Sequence, residues 1–238
     1  MSAATPPLTR CAGAARTFSA GRSAVVALHG ATCEVNAGDR IAIIGPSGSG
    51  KSTLLHLLAG LDSPTTGSVS WPALGDRSLL RPGPVAVVFQ TPSLLPPLDV
   101  IENVALPVLL TGAARSAAEE AAHHALARLG LDGLAAKLPE ELSGGQAQRV
   151  AVARALAGVP RLILADEPTG QLDHVAGTQV VDVLLEVAML TGAALVISTH
   201  DPQIARRLRR HWQMVDGRLL VDGPRPIRDP RTVSACSA

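Results

Sequence analysis

Gly45-Pro46-Ser47-Gly48-Ser49-Gly50-Lys51-Ser52-Thr53 lies between two short apolar runs, Ile41–Ile44 before it and Leu54–Leu61 after it. This order predicts a strand, a glycine-rich loop and a helix. Glycines let such a loop turn tightly, so that successive backbone N–H groups can face a phosphate chain at the positive N-terminal end of the helix. A glycine-rich turn with a surface lysine is the alternative, but the complete pattern in this context favours a phosphate-binding loop.

Two side chains next to the last glycine suit a magnesium nucleotide as the ligand of this loop. Lys51 can reach the terminal phosphates of a nucleotide, and Ser52 can offer its hydroxyl to Mg²⁺. Magnesium prefers hard oxygen ligands and keeps several waters while it bridges phosphates. The loop therefore predicts that the protein binds a nucleotide together with Mg²⁺.

Composition argues against several other classes of protein. The 238 residues include 21 Lys and Arg against 20 Asp and Glu, so there is no basic excess that would attract nucleic acid or anionic lipid. Tyrosine is absent and aromatic residues make up 2%, which removes the stacking platforms of single-stranded nucleic-acid binders. No apolar run approaches the roughly 18 residues that a membrane-spanning helix needs. The three scattered cysteines are typical of a reducing compartment.

Apolar strand-like runs and helical patterns alternate along most of the chain. The predicted strands are Ala24–Val35, Arg40–Gly45, Val85–Phe89, Arg161–Ala165 and Ala194–Thr199. We expect the first two to form a hairpin, because a tight turn at residues 36–39 joins them. The alternation predicts an α/β protein whose mostly parallel sheet is covered on both faces by helices.

The middle of the chain predicts a helical insertion into this pattern. Its expected helices are Asp99–Leu110, Ser116–Leu129 and Ser143–Gly158, with the two serines as N-caps. Strand and helix then alternate again. The later elements are expected to be a helix at His174–Leu190, a helix at Pro202–Arg210 and a hairpin about Asp216-Gly217.

Polar side chains follow several of the predicted strands. Asp166 and Glu167 come after Arg161–Ala165, where Asp166 suits the shell of a magnesium ion. Glu167 can accept a proton from an attacking water, a role whose loss costs roughly 10² to 10⁴ in rate. A helix-capping acidic pair is the alternative. Gln90 and His200 also end strands, where a parallel sheet binds ligands. The imidazole can donate to a phosphate or orient the water, although a lone histidine is more often structural.

A second glycine-rich stretch, Leu142-Ser143-Gly144-Gly145-Gln146, begins one of the predicted helices. A hydroxyl and two glycines at a helix N-terminus make a second place where backbone N–H groups can bind an anion. By itself the stretch could be only a helix cap.

Six motifs follow one another in the order of the ABC-transporter ATPase family, which the chain resembles from Leu28 to Val221. They are the loop at residues 45–53, Gln90, Leu142–Gln146, Asp166-Glu167, Leu172-Asp173 and His200. The resemblance implies an α/β fold with a P-loop NTPase (RecA-like) core, an antiparallel β-subdomain and a helical insertion. It also implies a single domain over residues 1–238, with a nucleotide-binding core at 1–93 and 160–225, a helical signature subdomain at 94–159 and a tail at 226–238.

The same resemblance implies ATP and Mg²⁺ as cofactors and a role for each motif. The catalytic residues would be Glu167 as the base, His200 as the switch, and Lys51 and Gln90. The ligands of Mg²⁺ would be Ser52, Gln90 and Asp166. Nucleotide contacts would come from Gly45, Pro46, Ser47, Gly48, Ser49, Gly50, Lys51, Ser52, Thr53, Gln90, Ser143, Gly144, Gly145, Gln146 and Asp173.

In this family two ATPs lie at the interface of a head-to-tail dimer. Each ATP would be held by one subunit's phosphate-binding loop and by the Ser143–Gln146 segment of the other, while Asp173 would lie in the loop that joins the two sites. The implied partners are a second ATPase, identical or related, and a transmembrane permease subunit. The implied location is the cytoplasmic face of the membrane, and no nucleic-acid partner is expected.

Adenine recognition departs from the usual pattern of the family, which stacks the base on a tyrosine upstream of the loop. This chain has no tyrosine, and the nearest aromatic residue is Phe18. Stacking needs the π face and not the hydroxyl, so the resemblance assigns Phe18 to the base. A core position for Phe18 is the alternative.

Within the family, segments such as Leu94-Leu95-Pro96 and Glu102-Asn103-Val104 look like the lipoprotein-releasing and macrolide-exporting branch, which includes a cell-division relative. We therefore expect an ATP-hydrolysing subunit that powers export of a lipoprotein, peptide or hydrophobic compound, or transmits force. One alternative is an ATP-gated regulatory dimer without transport. Another is a soluble member acting in translation or DNA repair, but such members usually carry tandem modules or long coiled coils.

Overall fold

A computed structural model describes residues 5–20 and 23–221, so the predicted tail at 226–238 lies outside the described residues. The strands within them are β1 (Thr9–Ala20), β2 (Ser23–Val35), β3 (Arg40–Ile44), β4 (Thr66–Ser70), β5 (Val85–Val88), β6 (Leu162–Asp166), β7 (Ala194–Thr199), β8 (Arg210–Val215) and β9 (Arg218–Val221). The α-helices are α1 (Lys51–Leu58), α2 (Val100–Leu109), α3 (Arg115–Arg128), α4 (Gly144–Ala157), α5 (His174–Thr191) and α6 (Pro202–Ala205).

The strands form two sheets of different kinds. Six of them lie side by side in the order β5-β6-β7-β3-β8-β9, and every neighbouring pair is parallel except the hairpin of β8 and β9. The other three form an antiparallel sheet in the order β2-β1-β4. The predicted α/β class, with a mostly parallel sheet and an antiparallel subdomain, is confirmed.

The predicted hairpin of β2 and β3 is wrong. Both strands exist, but β2 pairs with β1 in the antiparallel sheet, while β3 pairs in parallel with β7 on one side and β8 on the other. Because both edges of β3 are occupied, no edge remains for β2. The turn at residues 36–39 therefore carries the chain from one sheet into the other.

Strand β1 was not predicted from the sequence. Its buried side chains include the small residues Cys11 and Ala14, so it lacks the bulky apolar alternation that marks a strand. It lies in the middle of its sheet and pairs with both neighbours, β2 and β4. Cys11 faces Cys33 of β2, and both are buried free thiols. Pairing on both edges, and not local propensity, accounts for this strand.

The helical insertion comprises α2, α3 and α4, which contact one another. Ser143 caps α4 as predicted, but the prediction of Ser116 as a cap is wrong. α3 begins one residue earlier, after an extended Ala114 that gives no side-chain cap. The helix predicted at Pro202–Arg210 is also shorter, because α6 ends at Ala205 and β8 begins at Arg210.

Two apolar clusters cover the two faces of the parallel sheet. Alternate residues of β6 divide between them: Ile163 and Ala165 pack with the helical insertion and α5, while Leu162 and Leu164 pack with α1 and the antiparallel sheet. Among the described residues, only α5 is long and apolar enough to cross a membrane by length and composition. Side chains on one side of this helix, such as Leu184, are buried in the first apolar cluster. Because β3, β7 and β6 are adjacent and parallel, their carboxyl ends meet at one edge of the sheet.

Candidate nucleotide-binding site

The loop between β3 and α1 is held tightly by two other strands. A Cβ atom at Gly45 would lie 2.2 Å from the backbone oxygen of Met214 in β8, and one at Gly50 would lie 2.4 Å from that of Ala27 in β2. Gly50 also has φ of +97°, a region that favours glycine. The close approach of both strands explains why the sequence needs glycine at these two positions.

The N-terminus of α1 opens directly from this loop. Gly50 is its N-cap, and within residues 5–20 and 23–221 no side-chain hydrogen bond caps the helix. The first backbone N–H groups of a helix lack intrahelical acceptors and carry the positive end of its dipole. This cradle of glycine backbone and uncapped N–H groups fits an anionic phosphate chain.

Lys51 is buried, with a side chain only 5% exposed. Its ammonium donates to the backbone oxygens of Gly45 at 2.9 Å and Pro46 at 3.0 Å. The same nitrogen lies 3.3 Å from Oε1 of Glu167. A buried charge needs partners of this kind, because its desolvation is costly. The contacts join the loop to the end of β6.

Glu167 stands at the centre of the charged groups. Its Oε1 faces Lys51 and its Oε2 lies 3.1 Å from Nδ1 of His200. Since an ionised carboxylate only accepts, His200 Nδ1 is the donor of this contact. Glu167 also has φ of +43°, a left-handed conformation that costs a non-glycine residue about 1–3 kcal/mol. This turn of the backbone directs its carboxylate away from the sheet and towards the loop.

Asp166, the last residue of β6, is almost completely buried at 6% exposure. Its Oδ1 accepts a hydrogen bond from Oγ of Ser198 in β7 at 2.5 Å. Sequence reasoning missed Ser198. The available signal was a hydroxyl that directly follows the apolar run Leu195–Ile197 in a buried strand.

An open cleft of about 570 Å³ brings nine of the predicted residues together. Ala27 of β2 forms part of its wall. The predicted residues that line it are Ser47, Gly48, Gly50, Lys51, Ser52, Thr53, Gln90, Glu167 and His200. These predicted residues come from four separate parts of the sequence and converge at the carboxyl edge of the sheet. Asp166 is not among the lining residues and lies behind Glu167.

The oxygen groups of this region fit Mg²⁺ by their chemistry. Ser52 offers a hydroxyl and Gln90 an amide oxygen to the same cleft, and Asp166 adds a carboxylate nearby. All are hard oxygen donors. In residues 5–20 and 23–221 there is no group of three or more His, Cys, Asp or Glu side chains that could hold a metal. A magnesium ion here would therefore complete its shell with phosphate oxygens and water.

The second glycine-rich stretch lies outside the cleft. Ser143 Oγ accepts from the backbone N–H of Gln146 at 3.2 Å, and Gln146 Oε1 accepts from the N–H of Ser143 at 2.9 Å. Ser143 and Gly144 are exposed, and nothing lies within 4 Å of a Cβ built at Gly144. Within one chain, this stretch is a capped and exposed helix N-terminus.

Asp173 also lies away from the nucleotide cleft. It caps α5 by accepting from the N–H of Ala176 at 2.9 Å, and it lines a separate polar cleft of about 660 Å³ between α5 and α6. Its predicted place between two nucleotide sites stays a prediction.

Phe18 lies on β1 with 44% of its surface exposed, so a core position is wrong for it. The guanidinium of Arg16 lies 4.6 Å from the centre of its ring and is held by Asp62 at 2.7 Å. Phe18 is not among the residues that line the cleft. Its role in binding adenine stays a prediction.

One more contact links the cleft to the helical insertion. Gln148 of α4 is fully buried and donates from Nε2 to the backbone oxygen of Phe89 at 3.1 Å. Phe89 immediately precedes Gln90, so the helix that follows the second glycine-rich stretch is tied to the residue beside the cleft. No local pattern in the sequence distinguishes this glutamine from its neighbours.

Comparison with known proteins identifies the class of protein. The model of the ABC transporter family matches residues 28–170. A structure of the ATP-binding cassette MJ0796, dimeric and bound to ADP and Pi, has a TM-score of 0.83 at 34% identity and covers 93% of this chain and 99% of its own. The structure of cbiO1 from Clostridium perfringens, described as part of the ABC transporter complex cbiONQ, has a TM-score of 0.77 at 27% identity and covers 92% of this chain and 88% of its own. The chain belongs to the ABC transporter family, and it is the ATP-binding and ATP-hydrolysing subunit of a membrane ABC transporter.

Within this family the chain is similar to lipoprotein-releasing system ATP-binding proteins called LolD. The protein of Legionella pneumophila strain Paris is 46% identical over 213 residues, which are 87% of this chain and 94% of the relative. That of Anaeromyxobacter dehalogenans strain 2CP-C is 42% identical over 226 residues, or 92% and 95%. The resemblance to this branch is confirmed.

Proposed function

We propose that this chain binds MgATP in the cleft at the carboxyl edge of the parallel sheet and hydrolyses it with Glu167 as the general base. The observation that carries the proposal is the meeting of Lys51, Glu167 and His200 around the uncapped start of α1. A general base must lie within reach of the attacking water, and the carboxylate of Glu167 faces the cleft beside both neighbours.

Each charged group has a task that follows from its contacts. The ammonium of Lys51 donates to two loop carbonyls and contacts Glu167. Phosphate oxygens are stronger hydrogen-bond acceptors than carbonyl oxygens. ATP binding would therefore draw the ammonium towards the phosphates and leave Glu167 to a water. His200 holds Oε2 of Glu167 and orients the carboxylate. Mg²⁺, when bound, neutralises phosphate charge, and Ser52, Gln90 and Asp166 would hold it.

The exposed start of α4 supports a shared nucleotide site. Ser143 and Gly144 are exposed in the described chain, and a helix N-terminus with a serine hydroxyl suits an anion. The related cassette MJ0796 is described as dimeric. We infer that a second copy, or a related ATPase, places its Ser143–Gln146 segment on the ATP of the first, with Asp173 between the two sites.

An apolar groove beside Gln90 supports a membrane partner. This groove, about 440 Å³, lies between the strand edge and the helical insertion, and Leu61, Leu95 and Leu110 on its walls are 38–62% exposed. Arg154 also lines it, and burial lowers the pKa of this guanidinium. We infer that a permease segment docks here and holds the chain at the cytoplasmic face of the membrane.

The relatives named as lipoprotein-releasing favour lipoprotein release as the process that this chain powers. They favour transport over the regulatory dimer without transport. Reconstitution with the membrane protein encoded beside this gene would test the substrate: MgATP should release lipoprotein from the vesicles. Turnover without any lipoprotein release would leave the ATPase intact and reject this substrate.

Replacing Glu167 with Gln tests the base. The amide keeps the size of the side chain but cannot accept the proton, so turnover should fall about 10²- to 10⁴-fold while ATP binding persists. Phosphate release and equilibrium ATP binding would be measured on the full chain.

Glu119→Gln is the matched control, because Glu119 lies on α3 and forms an exposed pair with Arg115. It should keep the turnover of the parent. Parent-like turnover in Glu167→Gln would show that the base is another group.

A further inference from the structure

Ser198 lies in the buried strand β7, directly beside the strand that carries the acidic pair. It is fully buried, and the parallel ladder pairs it in register with Asp166. The preceding residues Leu195–Ile197 are apolar, as expected for a strand covered on both faces. A hydroxyl at such a position has to find its hydrogen-bond partners within the protein.

The partners of this hydroxyl are the two acidic residues. Ser198 Oγ donates to Oδ1 of Asp166 at 2.5 Å and accepts from the backbone N–H of Glu167 at 3.0 Å. The same N–H also lies 3.1 Å from the backbone oxygen of Ser198. One serine therefore holds a carboxylate by its side chain and the next residue by its backbone.

These two contacts act at the point where the chain turns out of the sheet. Asp166 is still extended in β6, whereas Glu167 has φ of +43°. The shared N–H fixes this left-handed turn, and the turn sends the Glu167 carboxylate towards Lys51 and His200. Oδ1 of Asp166 accepts the hydrogen bond from Ser198 Oγ. This contact fixes the plane of the Asp166 carboxylate and therefore the direction of Oδ2.

We propose that Ser198 is the positioning residue that orients Asp166 towards Mg²⁺ and Glu167 towards the attacking water. The inference rests on the proposed function. It assigns a role to Ser198 of β7, which lies outside the motifs identified in the sequence. Hydrogen bonds to a buried charged group are strong, and groups that orient metal ligands typically change metal affinity or activity roughly 10- to 100-fold when removed.

The test compares three substitutions in the full chain. Ser198→Ala removes the hydroxyl, Ser198→Thr keeps it, and Ser198→Cys keeps the size but is a weak donor. Thr199→Val is the matched control, because Thr199 is as buried on the same strand but its Oγ1 accepts from the N–H of Asp201. The readouts are ATP binding at equilibrium as a function of Mg²⁺ concentration, the kcat and KM for ATP, and the melting temperature.

Ser198→Ala and Ser198→Cys should raise the Mg²⁺ concentration that half-saturates ATP binding about tenfold or more, and lower kcat similarly while KM for ATP changes little. Ser198→Thr should restore the Mg²⁺ dependence, and Thr199→Val should leave it as in the parent. A merely structural serine would lower the melting temperature without moving the Mg²⁺ dependence.

The inference is overturned if folded Ser198→Ala shows the Mg²⁺ dependence and kcat of the parent. If Ser198→Ala does not fold, parent-like behaviour of Ser198→Cys overturns it equally. A parent chain without Mg²⁺-dependent ATP binding would instead reject the proposed function, so the two failures are distinguishable.

Discussion

Two helices of this protein begin with glycine-rich stretches, and their N-termini differ in what surrounds them. At α1, two strands pack against the glycines, no side chain caps the first turn, and Lys51, Glu167 and His200 line the same cleft. At α4, Ser143 and Gln146 cap each other and the glycine at position 144 faces open space. Similar sequence signals therefore produce a walled site in one case and an exposed surface in the other.

The difference agrees with the roles that we propose for the N-termini of α1 and α4. The α1 site has its phosphate-binding loop, Lys51 and Glu167 within one chain, so an isolated subunit should bind nucleotide. The α4 terminus has anion-binding groups but no wall, so it should contribute only when another subunit supplies the phosphate.

The largest expected effect is on stability at the crowded glycine. Gly45→Ala places a methyl group 2.2 Å from the backbone oxygen of Met214, and we expect a loss of about 3 kcal/mol in the free energy of unfolding. Gly144→Ala is the control and should change it by less than about 0.5 kcal/mol, because among the described residues a Cβ at Gly144 meets no atom within 4 Å outside its chain neighbours and its own helix backbone. Urea denaturation of both variants measures the difference. Equal losses would contradict the contrast between the two termini.

The next effect is on nucleotide affinity. Lys51→Met removes the ammonium from the loop, and ATP binding by the isolated chain should weaken about 100-fold, since each charged hydrogen bond contributes about 1.5–3 kcal/mol. Ser143→Ala should leave this affinity nearly unchanged, because Ser143 does not line the cleft. Titration with a fluorescent ATP analogue at low protein concentration makes the comparison. Comparable weakening by both variants would place Ser143 in the site of its own chain.

The smallest effect separates capping from nucleotide contact. Asp99 caps α2 in the same reciprocal arrangement that Ser143 forms with Gln146 at α4. Alanine at either cap should lower stability by about 1 kcal/mol. Only Ser143→Ala should also lower turnover, about tenfold, at concentrations that allow dimerisation, since a lost phosphate contact of about 1.4 kcal/mol is tenfold. If Asp99→Ala lowered turnover equally, the cap alone would explain the effect.

Much of the fold could be predicted because its signals are local. The apolar run Val85–Val88, the run Ala194–Thr199 and the glycine-rich loop each predict their element from a few neighbouring residues. The cap at Ser143 is local as well. By contrast, β1 has small buried side chains and becomes a strand only by pairing on both edges, and the supposed hairpin of β2 and β3 fails because β7 and β8 occupy both edges of β3.

The sequence by itself determined which chemical groups are available: a lysine after a glycine loop, two consecutive acids, a histidine and a capped glycine stretch. Only the tertiary structure decided that Glu167 faces both Lys51 and His200 and that Asp166 is hydrogen-bonded to Ser198. It also decided that Ser143 lies outside the nucleotide cleft of its own chain. The reason is that the parallel ladder sets which strand ends are neighbours and which way each side chain leaves the sheet. Those relations join residues far apart in the chain, and no local pattern records them.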